Sequence, residues 1–179
     1  MKTDAEIPLL EEILAEWKQV IGADYQAYRN HVYRVVHFCT WLHACSAEDR
    51  EKIVVAACFH DIGIWTAGTL DYLPPSVRLA GEYLVARGRE AWVPEVTLMI
   101  DMHHKVGRYE DPRYPLVEPF RRADIADFSL GLFRMGVPAE VIAQVKAAFP
   151  NAGFHKRLAQ LGARWLARHP LNPLPMFRA

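Results

Sequence analysis

Apolar residues recur along this chain at spacings of three and four, the pattern of helices buried along one stripe. Ile7, Leu10, Ile13 or Leu14, Trp17 and Ile21 outline a first helix, with Pro8 in its opening turn and Gly22 closing it. A second is expected from a cap at Asp24 to about Ala44, with an inner stripe of Tyr28, His31, Val32, Val35, Phe38, Cys39 and Leu42. Ser46 followed by Asp49 resembles a capping box with Asp in place of Glu, and opens a third helix that runs through Ile53 to Phe59 and ends in His60-Asp61. Ser76 is the expected cap of a fourth helix to Arg87, and Pro94 opens a fifth with the stripe Val93, Val96, Met99, Ile100, His103. A sixth is expected from about Glu118 to Met135, a seventh from Pro138 at its first position to Pro150, and an eighth, capped by Asn151, carries Phe154, Leu158, Leu161 and Trp165. Residues 66–75 and 106–116 read as loops, and the proline-bearing tail 170–179 as extended or disordered. With no alternating strand pattern, repeat or linker, the expected fold is a single all-α domain over residues 1–169 followed by that tail.

Polar residues break into these stripes at a few places. The run from Ile53 to Phe59 is too apolar for a surface, so it delivers His60 and Asp61 into the interior, where a carboxylate is costly unless paired or bound to a metal. Neighbouring side chains on a helix diverge by about 100°, narrow enough for one cation to touch both at roughly 2.0–2.2 Å. Gly63 would then let the chain leave the helix. His31 falls on the inner stripe of its helix, whereas His37 falls among Tyr33, Arg34, Thr40 and Trp41 on another face. His103 again stands where a hydrophobe is expected, with His104 one step round. Asp124 has Phe120 and Phe128 as its neighbours four residues away on either side, and one of Asp124 and Asp127 is free to cap or to pair with Arg121 or Arg122.

Composition removes some alternatives. A chain of 179 residues that is 51% apolar suits one domain with a sizeable core. Lys plus Arg equals Asp plus Glu, 21 each, so the basic excess that binds long nucleic acids is missing, while a local cationic pocket for one phosphate remains open. No apolar run spans a bilayer and none follows the first residues as a leader would, so no membrane association and a cytoplasmic location are expected. Cys39, Cys45 and Cys58 form no disulfide framework. The doubled text His37-Phe38-Cys39 and His43-Ala44-Cys45 is a poor zinc site, because positions six apart on a helix point about 240° apart. Trp65, Tyr72, Trp92 and Met176-Phe177 are candidates for an exposed apolar surface, which leaves the oligomeric state open.

Taken in order, His31 with Arg34-Val35, His60-Asp61-Ile62-Gly63, Ser76 with Ala80, Glu82 and Leu84, Ile100 with His103-His104, and Ala123-Asp124 make the chain resemble the HD-domain superfamily of metal-dependent phosphohydrolases. The resemblance covers about residues 28–128 and implies an HD-type helical bundle with His31, His60, Asp61 and Asp124 holding one divalent metal. His103-His104 looks like the His-His pair of dinuclear branches and marks a second metal position. The chain departs from the cyclic-dinucleotide phosphodiesterase pattern, since Lys105 replaces a glutamate and Arg113-Tyr114-Pro115 lacks the glycines.

Two imidazoles and two carboxylates suit Mn, Fe, Co, Ni or Zn better than Mg or Ca. A metal with open positions lowers the pKa of bound water to about 7 and polarises a phosphoryl group, so the expected reaction is hydrolysis of a phosphoester in a nucleotide or another small phosphorylated metabolite. Asp61 would bind metal and steer the water, and His103 or His104 would serve as acid or as second-metal ligand. Lys105, Arg34 and Arg108 would neutralise phosphate charge. Two other classes stay open: an HD-type di-iron oxygenase, and a non-catalytic metal- or nucleotide-binding module.

Overall fold

The structure, a computed structural model, describes residues 3–177. It is all-helical, and no strand occurs among the described residues. The elements are α1 (Pro8–Ile21), α2 (Tyr25–Leu42), α3 (Ala47–Phe59), a single turn α4 (Gly63–Thr66), α5 (Leu73–Ala86), α6 (Val93–Met102), α7 (Val117–Phe128), α8 (Ala139–Ala148) and α9 (Phe154–Arg168). Short 3-10 turns occupy Gly22–Asp24, Glu90–Trp92 and Pro175–Phe177. None of the described helices is long and apolar enough to cross a membrane.

α2 is the central element. It packs against α7 and α3, while α5 and α6 pair with each other and α6 also meets α3 and α7. Its stripe Tyr28, Val32, Val35, Phe38 and Cys39 is fully buried. The opposite side is buried too, which the helical spacing does not reveal: Tyr33 and His37 stack against Phe149 at the end of α8, and Arg34 and His37 are both at least 97% buried.

The Ser46–Asp49 capping box forms as expected, with Ser46 Oγ accepting from Asp49 N at 3.1 Å and Asp49 Oδ2 accepting from Ser46 N at 2.9 Å. Several other expected caps are replaced. Asp24 caps nothing; it accepts from Trp65 Nε1 at 3.0 Å and Arg157 Nε at 2.8 Å, tying the start of α2 to α4 and α9. Helix α5 starts at Leu73 rather than Ser76, because Pro74 and Pro75 fill its first turn, where no amide hydrogen is needed. Helix α7 stops at Phe128, well before Met135; Gly131, at φ 85°, turns the chain and its N–H returns to Ala126 O at 2.8 Å. Pro138 is the residue before α8, and α9 starts at Phe154 after Gly153 at φ 90°, with Asn151 Oδ1 still accepting from His155 N at 3.4 Å.

The described part of the tail, exposed at Pro170, Leu171, Pro173 and Leu174, ends in a 3-10 turn at Pro175–Phe177. Met176 is buried against Ile64, Leu70, Tyr72 and Leu73, which brings the tail back over the turn that follows His60-Asp61. Tyr72 and Trp92 are buried and Trp65 is half-buried, so these residues do not form an exposed patch. The Phe177 side chain, Arg178 and Ala179 lie outside the described residues.

Gly63 serves close approach rather than an exit from the helix. A Cβ there would stand 2.4 Å from the Tyr72 carbonyl oxygen and 3.0 Å from Ser76 Oγ. Ser76, fully buried, accepts from Gly63 N at 3.0 Å and so clamps the His-Asp turn onto α5. Gly63→Ala is therefore expected to cost about 1–3 kcal/mol through overpacking against a backbone atom that has little room to move. Urea unfolding of the purified variant measures this; a loss within the roughly 0.5 kcal/mol typical of surface changes would mean that the contact is not tight.

Candidate metal centre

Helix ends deliver most of the candidate ligands. His60 follows the last residue of α3 and His103 the last of α6, so each ring returns its Nδ1–H to its own helix: His60 Nδ1 donates to Ala57 O at 2.7 Å and His103 Nδ1 to Ile100 O at 2.5 Å. Carbonyls only accept, so both rings carry that proton on Nδ1. His31, in mid α2, donates Nδ1–H to Asp127 Oδ2 at 2.7 Å. In the neutral rings all three Nε2 atoms are thereby left to face the interior as lone pairs.

Those lone pairs converge with two carboxylates. His31 Nε2 stands 2.9 Å from His60 Nε2, 3.7 Å from Asp61 Oδ2 and 3.5 Å from Asp124 Oδ1. His60 Nε2 lies 3.4 Å from Asp61 Oδ2 and 3.6 Å from Asp124 Oδ1. Ligands about 2.0–2.2 Å from a common cation sit roughly 2.8–3.6 Å from one another in octahedral to tetrahedral arrangements, and all these separations but the His31–Asp61 one, at 3.7 Å, fall in that range. The four residues are at least 96% buried. A single proton can bridge two of these atoms; a divalent cation can reach His31, His60 and Asp61 together, with Asp124 Oδ1 beside both imidazole nitrogens, so the donor set fits such an ion.

A second group adjoins the first. Asp61 Oδ2 faces His31 and His60, while Asp61 Oδ1 lies 3.6 Å from His103 Nε2. Both Asp61 Oδ1 and His103 Nε2 are buried without a hydrogen-bond partner. One atom each of Asp61, His103 and His104 falls within 4.8 Å of the others. Two orphaned acceptors turned toward each other in the interior are expensive unless a cation or proton lies between them.

Electrostatics follow this geometry. Burial opposes the charged form of Asp61, yet His60, His103 and His31 hold it well below the usual carboxylate range. Burial also opposes a charge on His60, but Asp61 and Asp124 outweigh it and raise its pKa to about 9. Burial, with His103 beside it, lowers the His104 pKa to about 3, and its Nε2 pairs with the Tyr72 hydroxyl.

Asp127 pairs with neither Arg121 nor Arg122. It accepts from Arg34 Nε at 2.6 Å and Nη2 at 2.8 Å as well as from His31, while Arg121 is taken by Glu118 and by the Lys105 carbonyl. Arg34, expected to neutralise phosphate charge, is buried with its guanidinium held by Asp127 and by Phe149 O at 3.1 Å. Arg108 is exposed, 3.8 Å from Glu110, in a groove with Tyr109 and Pro112 away from the donors. Lys105 does not line the cavity at the donors either.

That cavity, of about 320 Å³, is reached by His31, Asp61, His104 and Asp124. Sequence reading missed Tyr72 and His155, both of which line it. Tyr72 sits in a segment read as a loop, and His155 on a helix read only for its apolar stripe. No family model, curated protein or solved structure matches this chain.

Two outcomes are expected. Asp127→Asn should destabilise the fold by about 3–5 kcal/mol, since it strips the buried Arg34 of its charge partner. It should also weaken divalent-metal affinity about 10–100-fold by loosening His31; calorimetric metal titration returning the wild-type affinity would refute the orienting role. The second concerns pH. In metal-free protein the His60 pKa is raised from its ordinary 6.5 to about 9, so the folded state holds a proton that the unfolded chain releases. The stability from that proton is complete below pH 6.5 and is lost as pH rises through about 9. Thermal unfolding in chelator should show a falling Tm across this window, and a rising one would contradict the assignment.

Proposed function

We propose that this chain is a metal-dependent phosphohydrolase that cleaves a small phosphoester. One observation carries the reading: the buried Nε2 atoms of His31 and His60 are 2.9 Å apart, Asp61 and Asp124 each bring an oxygen within 3.7 Å of both, and the other Asp61 oxygen is turned to His103. The mixed nitrogen and oxygen donors favour Mn, Fe, Co, Ni or Zn over Mg and Ca. A bound ion of this kind would supply an activated water and polarise the phosphoryl group.

The chain's own residues do the rest. Asp61 spans the two donor groups and orients whatever binds between them. His104, neutral at the cavity wall, pairs its Nε2 with the Tyr72 hydroxyl and so orients that hydroxyl beside the donors. Ile64, Leu70 and Phe154 keep bulk water away from the donors.

A second reading, an HD-type di-iron oxygenase, has its own support: among the described residues no lysine or arginine lines the cavity, and a neutral organic substrate needs none. Iron-dependent oxygen uptake would favour it, while anaerobic turnover with zinc or manganese favours hydrolysis.

Elemental analysis joined to a screen of phosphomonoesters and phosphodiesters tests the main reading. Asp61→Ala should lose bound metal and lower hydrolysis about 100-fold or more. His103→Ala should lower only the metal-to-protein ratio if a second ion binds there. Full metal content and full hydrolysis in Asp61→Ala would refute the centre.

A further inference from the structure

The chamber beside the donors holds about 320 Å³, at the small end of the roughly 300–1,000 Å³ usual for small-molecule pockets. Away from the donors its wall is hydrocarbon, with Ile64, Leu70, Phe128, Phe154, Leu158 and Met176 contributing most of it. The polar groups that reach it are already engaged: the Tyr72 hydroxyl with His104, and His155 Nε2 with the carbonyls of Asp127 and Phe128 at 3.1 Å each. The arginines of α9, Arg157, Arg164 and Arg168, line a different groove with Trp165. The base and ribose of a nucleoside monophosphate bring donors and acceptors that would be buried there without partners. A compact hydrocarbon group would instead be desolvated against a matching surface.

We infer that the substrate presents a compact, uncharged aromatic or branched-alkyl group to this chamber, and that nucleotides are not substrates of the site. The inference rests on the proposed hydrolase for the chemistry at the donors; the chamber's preference rests on its walls.

Gly162 supplies the test. It lines the chamber, a Cβ there would meet no heavy atom within 4 Å, and its backbone is ordinary helix. Gly162→Phe is thus expected to fold and to fill the space. Benzyl alcohol is titrated calorimetrically into the full chain, metal-loaded and metal-stripped, and the metal-loaded chain is assayed on phenyl phosphate and on adenosine monophosphate. The expected result is one benzyl alcohol bound per chain in both forms, binding about tenfold weaker or worse in Gly162→Phe at unchanged metal content, and a kcat/KM at least about tenfold higher for phenyl phosphate. Absence of benzyl alcohol binding, binding indifferent to Gly162→Phe, or equal or better turnover of adenosine monophosphate overturns the inference. Benzyl alcohol binding as expected in a chain that takes up no metal and cleaves neither ester upholds the chamber's selectivity and refutes the hydrolase.

Discussion

A buried carboxylate on α7 sets the terms for the rest of the molecule. Asp127 is 2% exposed and accepts two hydrogen bonds from Arg34 and one from His31, all three donors being on α2 or projecting from it. Burial alone would favour its neutral form, but His31 and Arg34 hold its pKa well below the ordinary carboxylate value. The pairing fixes the register of the two helices that pack most closely. It also fixes the proton of His31 on Nδ1, and so turns its Nε2 lone pair toward His60, Asp61 and Asp124. A structural ion pair and the orientation of a candidate ligand are here one arrangement, and loss of the carboxylate would disturb both.

Helix termini place the other donors. In mid-helix the residue three earlier has its carbonyl tied to the ladder; past the last turn of α3 and of α6 that carbonyl is available to a ring nitrogen. His60 and His103 each take it, which is why both rings show the same tautomer. The turn after His60 is then held by Ser76 Oγ and by the Gly63–Tyr72 contact. The rigidity that keeps Asp61 between two donor groups therefore comes from α5, a helix that contributes no ligand.

Much of this arrangement is legible in the sequence, and the illegible part has definite physical causes. Histidines on apolar stripes, at positions 31 and 103, and a His-Asp pair ending an apolar run, stand out because one helix's own periodicity says which side is inward. Asp124 stands out through Phe120. Asp127 does not declare its partner, since Arg121 and Arg122 are near in sequence while Arg34 lies ninety-three positions away. Arg34 and His37 look solvent-facing on α2 because its spacing cannot report that the end of α8 covers that side. Helix starts at Leu73 and Phe154 and the early stop of α7 were hidden by prolines, by Gly153 and by Gly131, residues compatible with more than one boundary. Met176 is buried only because the tail folds over the α4 turn, a long-range contact that a proline-bearing stretch does not announce.

Charge ties the donor groups to the kind of molecule they suit. Asp61 and Asp124 together bring two negative charges, which one divalent ion would cancel. Among the described residues no lysine or arginine lines the chamber to tip the balance further, and in so apolar a space uncompensated charge is strongly disfavoured. With one ion the centre would be neutral and indifferent to a phosphate's charge. With a second ion held by Asp61 and His103, whose Oδ1 and Nε2 are among the buried atoms without a partner in the described residues, it would carry an excess of positive charge that a phosphate group can answer. The proposed hydrolysis would draw on that excess where a second ion binds, whereas a single ion would act through its own polarising of the phosphoryl group. The hydrocarbon wall sets the same limit in either state on what may be attached to the reacting group.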